Sequence, residues 1–268
     1  MRLFAFDVDG TLINGNIKLN ELLKNRLNEI LKNGDVIAIA SGRPYKGIMQ
    51  ILNQLDSGLK FCLCANGNLV TDINGKELYI NGLKMKDYYD FVDNHQDIFK
   101  NKTSNIYCYT THRIAYLKSN AWIKFERKAN DYFEGVDLRK NRLPDDYHIL
   151  KFMIASLPKR SKNFDEKHIL ESEKEKYNIL RTSPYFLEFI NKNSDKADAV
   201  EFLRNYLNIE KESVYTFGDS GNDVKMIKDF NGVAMGNASE ECKRVAKFVT
   251  KSVDENGVIY ALDNFVKF

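Results

Sequence analysis

Met1-Arg-Leu-Phe-Ala-Phe-Asp-Val-Asp-Gly-Thr-Leu12 decides how the rest of the chain is read. Residues 3–6 are an unbroken apolar run that stops at Asp7, Asp9 and Gly10. Its length and its turn-forming boundary mark a buried strand. Carboxylates at the carboxyl end of such a strand stand where open α/β sheets bind their ligands. Two acids two residues apart repel one another unless a cation or a shared proton relieves them. Mg²⁺ suits the place, because it takes a few hard oxygen ligands and completes its shell with phosphate oxygens. An isolated Asp-x-Asp reads first as a strand end with two solvated acids, so the later stretches carry the decision.

Residues 36–40 form a second buried strand running into Ser41-Gly-Arg-Pro44, ahead of a helix whose first turn tolerates Pro44. A hydroxyl and backbone N–H groups at that junction suit a phosphate, although serine also caps helices readily. Asn193-Ser-Asp-Lys196 opens a helix in which Ala197, Val200, Leu203 and Leu207 share one face. With Ser194 or Asp195 as its cap, Lys196 falls in the first turn, where a cation opposes the helix macrodipole. Local conflicts of this kind cluster at working sites, against the alternative of a solvated surface lysine. Residues 213–217 make a further strand ending in Gly218-Asp-Ser-Gly-Asn-Asp223, which brings Asp219 to a strand end and starts a helix at Asn222 and Asp223.

Taken together and in order, Asp7-Val-Asp-Gly-Thr-Leu12, Ser41-Gly-Arg-Pro44, Lys196 and Gly218-Asp-Ser-Gly-Asn-Asp223 resemble the motifs of the haloacid dehalogenase-like phosphohydrolases. Their order is similar to that of the Cof-type, subclass IIB branch, over essentially the whole chain. The resemblance implies a doubly wound, mainly parallel Rossmann-like core with an inserted α/β cap. It implies a Mg²⁺-dependent phosphatase acting on a small phosphorylated metabolite through an aspartyl phosphate. Asp7 is then the nucleophile and Asp9 the general acid and base. Ser41, Gly42, Lys196 and Asn222 hold the phosphoryl group. Asp7, the Asp9 carbonyl and Asp219 bind the metal, with Asp223 beside them or acting through water, and Thr11 steadies the Asp7–Asp9 loop. Family members usually read Asn-Gly-Ala where this chain has Asn66-Gly-Asn68, and many have Gly where Ala197 follows the lysine.

Between these motifs the chain reads as β-α-β-α-β followed by a hairpin over about the first 80 residues. A helix over 19–32 carries Leu22, Leu23, Leu27, Ile30 and Leu31; the helix with Pro44 in its first turn continues over 48–55, and a strand covers 61–65. Residues 70–80 alternate around Asn74-Gly75, a strong hairpin signal. From Leu83 onward aromatics become dense. Helices are expected over 84–99, 122–133 and 164–175, and strands over 106–110, 113–118, 150–157, 177–182 and 186–190. The expected division is therefore a core of 1–82 with 191–268 and a specificity cap of 83–190. The cap's net charge is +4 against −1 for the remainder, a mild bias toward anionic substrates.

With 268 residues, 43% of them apolar, the chain can bury one large core or two ordinary ones. A net charge of +3 does not suggest a nucleic-acid surface. The opening apolar run is too short for a signal peptide, and none approaches the ~20 residues of a membrane span. A cytoplasmic monomer or small homo-oligomer is expected. Cys62, Cys64, Cys108 and Cys242 show no zinc spacing and read as reduced, buried thiols. The four histidines, His95, His112, His148 and His168, are dispersed and receive no chemical role. Two other functions fit the same motifs. A phosphosugar mutase of this superfamily would return the phosphoryl group to the sugar. A regulator phosphorylated on Asp7 would need neither Asp9 nor a cap of about a hundred residues.

Overall fold

Leu3–Phe6 is a central strand of an eight-stranded sheet, and all four of its residues are buried. The computed structural model describes residues 1–100, 103–129, 134–157 and 166–266. It divides into two compact units, Met1–Tyr79 with Asp195–Phe268, and Ile80–Ser194.

In the first unit the strand order is Phe248–Val249, Asn231–Ala234, Val214–Gly218, Leu3–Phe6, Val36–Ala40, Lys60–Cys64, Leu69–Asp72, Glu77–Ile80. The first six run parallel, and Leu69–Asp72 turns back antiparallel. Sheet order runs outward in both directions from Leu3–Phe6, so the switch point of this doubly wound sheet lies where that strand meets Val214–Gly218. Parallel register pairs Phe6 with both Phe217 and Ile39, which puts Asp7, Gly218 and Ala40 at one edge.

Buried on both faces, the central strands must be apolar throughout, and they are. One face gathers Leu3, Ala5, Ala38, Leu63 and Val214 against Ala199, Val200 and Leu203 of the helix Lys196–Tyr206. On the other face Phe6 stacks on Phe217 at 4.7 Å and Phe4 on Tyr215 at 5.3 Å. Asn20 caps the helix Glu21–Lys32 by accepting from the Leu23 N–H. Leu22 departs from expectation: it is 67% exposed, on the outward side of that helix. The next helix is Tyr45–Leu52, with Pro44 just outside it as N-cap. Gly75 supplies a positive φ at the hairpin turn, and Asp72 closes it by accepting from the N–H groups of Asn74 and Lys76.

The second unit holds a six-stranded sheet in the order Tyr177–Ser183, Phe186–Asn191, Lys151–Ser156, Ser104–Tyr109, Arg113–Tyr116, Glu134–Asp137. All neighbours are antiparallel except the last pair. Phe91, Phe152 and Phe189 pack together with Tyr177 in its core, Phe152 stacking on Phe189 at 4.8 Å. The dense aromatics are thus largely interior. The helix expected over 84–99 is two, Met85–Asn94 and Asp97–Lys100, separated at His95. The strand Glu134–Asp137 and a short ribbon of Leu83–Lys84 with His148–Ile149 were not anticipated; four- and two-residue strands leave little periodicity to read. Of the helices expected over 122–133 and 164–175, the described parts are Ala121–Ala129 and Glu166–Glu173; residues 130–133 and 164–165 lie outside the described residues, as does the His168 side chain.

All four cysteines are free and buried. Among the described residues no helix is long and apolar enough to cross a membrane.

Candidate active site

Asp7 follows the last residue of the central strand and is held there by its N–H, which donates to the Phe217 carbonyl at 2.9 Å. The chain then doubles back tightly: the N–H of Gly10 donates to Ile13 O, and that of Ile13 to Val8 O. Gly10 has φ +91°, and a Cβ there would lie 2.4 Å from an Asp219 carboxylate oxygen, so only glycine fits. Thr11 donates its hydroxyl to Asp219 Oδ1 at 3.1 Å. It therefore steadies the Asp7–Asp9 loop by tying it to the Asp219 loop.

Lys196 is fully buried, which removes the solvated-surface alternative. Asp195, the N-cap, accepts from the Ala197 N–H and sets the helix start. Lys196 Nζ stands 2.6 Å from Asp7 Oδ1 and 2.6 Å from Asp223 Oδ1. Burial disfavours its charge, but the two carboxylates outweigh burial and hold it above the ordinary lysine range. Asp7 is pushed up to about 7, chiefly by burial and also by Asp223 and Asp219, against the pull of Lys196. Asp219 is raised as well, first by burial and then by Asp223.

Asp223 is buried, and its Oδ2 accepts from the N–H groups of Asp219 and Ser220. Both of its oxygens are thus committed to holding Lys196 and the 219–220 backbone. Gly218 makes room for it: a Cβ at 218 would lie 2.5 Å from the Asp223 Cβ.

Asp7, Asp219 and Asp223 offer carboxylate oxygens within 4.8 Å of one another. Among the described residues nothing donates to Asp7 Oδ2 or to the Asp9 carbonyl. Hard oxygens with two unengaged acceptors fit a small divalent cation.

Asp9 is exposed and is gripped by Arg43, Nε to Oδ2 at 2.9 Å and Nη2 to Oδ1 at 2.7 Å. Ser41 is buried, and its Oγ accepts from the Arg43 N–H at 3.2 Å. Capping of the next helix is not its role, since Pro44 holds that position. Asn222 sits on a short turn, Gly221–Asp223, and donates to Asn66 Oδ1 at 2.9 Å. Asn66 in turn lies beside Gly42. Neither Arg43 nor Asn66 receives a role from the sequence, though both stand inside quoted stretches. Arg43 is inside the quoted Ser-Gly-Arg-Pro stretch, and a guanidinium two residues beyond a candidate phosphate-binding serine was the available signal.

Comparison with known proteins places the whole chain in one family. The model of the haloacid dehalogenase-like hydrolase family matches residues 4–262. YxeH of Bacillus subtilis (strain 168) is 29% identical over 283 residues, covering 99% of this chain and 98% of its own. The 5-amino-6-(5-phospho-D-ribitylamino)uracil phosphatase YcsE of the same organism is 26% identical over 274 residues, covering 99% and 96%. The crystal structure of a haloacid dehalogenase-like hydrolase from Bacteroides thetaiotaomicron superposes with a TM-score of 0.82 at 28% identity, covering 99% of both chains. With its fold, its acidic cluster and its full-length match in agreement, the chain belongs to the haloacid dehalogenase-like hydrolases.

Proposed function

We propose that this member hydrolyses phosphomonoesters of small metabolites, sugar phosphates or similar, through an aspartyl phosphate on Asp7. The observation that carries the reading is Asp7 itself: one carboxylate oxygen rests on Lys196 at 2.6 Å while the other is unengaged. A carboxylate held by one oxygen and open at the other is arranged for nucleophilic attack.

Asp7 Oδ2 attacks phosphorus, and the bond from phosphorus to the leaving alcohol breaks. Asp9 gives that oxygen its proton and then, as a carboxylate, takes one from the water that attacks the phosphoaspartate and frees Asp7. Ser41, Gly42 and Asn222 bind the remaining phosphoryl oxygens, with Lys196 offsetting their charge beside Asp7. Asp7, Asp219 and the Asp9 carbonyl would hold Mg²⁺, which when bound supplies further neutralisation of the phosphoryl group. Asp223, with both oxygens engaged, orients Lys196 and the Asp219 loop. Substrate selection is assigned to the inserted unit Ile80–Ser194. YcsE supports a small metabolite, since its name specifies a phosphorylated ribityl chain.

The test is phosphate release from a panel of phosphorylated metabolites, with Mg²⁺ and with EDTA, for the wild type and Asp7→Asn. Release requiring both Mg²⁺ and Asp7 is expected. Release that survives Asp7→Asn would remove the covalent mechanism, and no release by the folded wild type would remove the hydrolase.

A further inference from the structure

Asn66 has been given no role above, yet its backbone is left-handed at φ +57°, between Ala65 at +51° and Gly67 at +92°. Three consecutive left-handed residues, two of them bearing side chains, are uncommon. Such backbone persists where its surroundings over-determine it, and it collects at working sites.

The surroundings here are three segments of the proposed phosphoryl site. The N–H of Asn66 donates to Ser41 O at 3.0 Å, and that of Ala65 to Arg43 O at 3.1 Å. Gly67 packs so closely on the next segment that a Cβ would lie 2.1 Å from the Asp195 carbonyl oxygen, one residue before Lys196. The Asn66 side chain is buried and accepts from Asn222 Nδ2 at 2.9 Å. Its Oδ1 and Nδ2 also lie 3.3 and 3.4 Å from where a Cβ of Gly42 would stand. Asn66 thus bridges Gly42 and Asn222, the outermost of the anion-binding positions. Asn222 is exposed on a three-residue turn, and this is its one side-chain hydrogen bond among the described residues.

We propose that Asn66 is a positioning residue for anion binding: it holds the Asn222 carboxamide in one orientation, leaving the second Asn222 N–H for a phosphoryl oxygen. The strained turn exists to deliver that acceptor. This rests on the reading of the site as a phosphoryl site, but it can be measured without turnover.

Inorganic phosphate is titrated by calorimetry, in one divalent-cation buffer, into the wild type, Asn66→Gly and Asn66→Asp, each with and without Asn222→Ala. Glycine adopts φ +57° without strain, so Asn66→Gly should keep its fold, checked by thermal melting. Asn66→Asp keeps both the acceptor and the tolerance of left-handed backbone. Asn222→Ala is expected to weaken phosphate about fivefold to tenfold in the wild type and in Asn66→Asp, the scale of one hydrogen bond, and to cost nothing further in Asn66→Gly. In turnover, Asn66→Gly should raise KM more than it lowers kcat. An Asn222→Ala cost that is equal in all three backgrounds, or smaller in Asn66→Asp than in the wild type, would overturn the proposal. So would a wild type that does not bind phosphate. Phosphate binding that follows the expected pattern in a chain that hydrolyses no phosphomonoester would sink the phosphatase reading and leave this one standing.

Discussion

Arg43 clamps Asp9 through two parallel hydrogen bonds, at 2.9 and 2.7 Å, although the Asp9 side chain is 58% exposed. A planar guanidinium fixes the direction of a carboxylate as well as attracting it, which an ammonium cannot do. Asp9 therefore has a defined orientation before any substrate arrives, and one of the two bonds must open for Asp9 to carry the proton of its acid role. Arg43→Lys keeps the charge and loses the fork. We expect it to lower kcat/KM on an alkyl phosphate such as a sugar phosphate by about tenfold, and Asp9→Asn by about 10²–10⁴, the usual worth of a placed general acid. Both should lose much less kcat/KM on p-nitrophenyl phosphate, whose leaving group needs no proton. The ratio kcat/KM reports the step that expels the leaving group, not the later hydrolysis of the phosphoaspartate in which Asp9 is the base. Steady-state kinetics on the two substrates decides this, and equal losses would take Asp9 out of leaving-group protonation.

Lys196 has no water to fall back on. Replaced by Met, it leaves Asp7 and Asp223 buried without the cation that both face at 2.6 Å. Removing one partner from a buried ion pair costs about 3–5 kcal/mol. Urea melts in EDTA should show a loss of that order, and Mg²⁺ should restore part of it by binding the folded state. A loss within about 0.5 kcal/mol, the size of an ordinary surface change, would contradict the buried triad.

The sequence made the strand-end acids legible because their chemistry is local: Asp7, Asp9 and Asp219 are each set by a few adjacent residues. Lys196 was half legible. Its conflict with the helix dipole pointed to function, while its burial depended on Asp223, 27 residues away. Arg43 and Asn66 escaped because their partners, Asp9 and Asn222, lie 34 and 156 residues off. The second unit was legible as alternating helices and strands but not as a packed core. Its buried ion pair, Lys151 with Glu188 at 2.9 Å, joins two neighbouring strands whose register no periodicity reveals. The one hint was a single charge of opposite sign interrupting each apolar run.

Gly218 tests whether Asp223 must stand where it does. Alanine at 218 would place its Cβ 2.5 Å from Asp223 Cβ and 2.6 Å from its Cγ, too close to be absorbed without moving the side chain. Overpacking of this kind costs about 1–3 kcal/mol. Displacing Asp223 also releases one carboxylate from Lys196, so Gly218→Ala should reduce kcat/KM at least tenfold. Wild-type turnover in this variant would show that the Asp223 position is not required.

Asp7 gives the metal-free protein a predictable pH dependence. Its carboxyl is held at about 7 in the folded chain, against an ordinary value of 3.8, chiefly because burial disfavours the charge. Between those values the folded state keeps a proton that the unfolded state has released. Its stabilising contribution is complete below about pH 4 and is lost as pH rises through 7. In EDTA, thermal midpoints of the wild type measured relative to Asp7→Asn should therefore fall from pH 5 to pH 7.5 and level off above. A divalent cation competes with the proton for the same carboxylate, so Mg²⁺ should flatten this slope and bind more tightly as pH rises. If the difference between the two proteins does not change with pH in EDTA, burial is not what holds the Asp7 proton. If Mg²⁺ leaves the slope unchanged, Asp7 is not among its ligands.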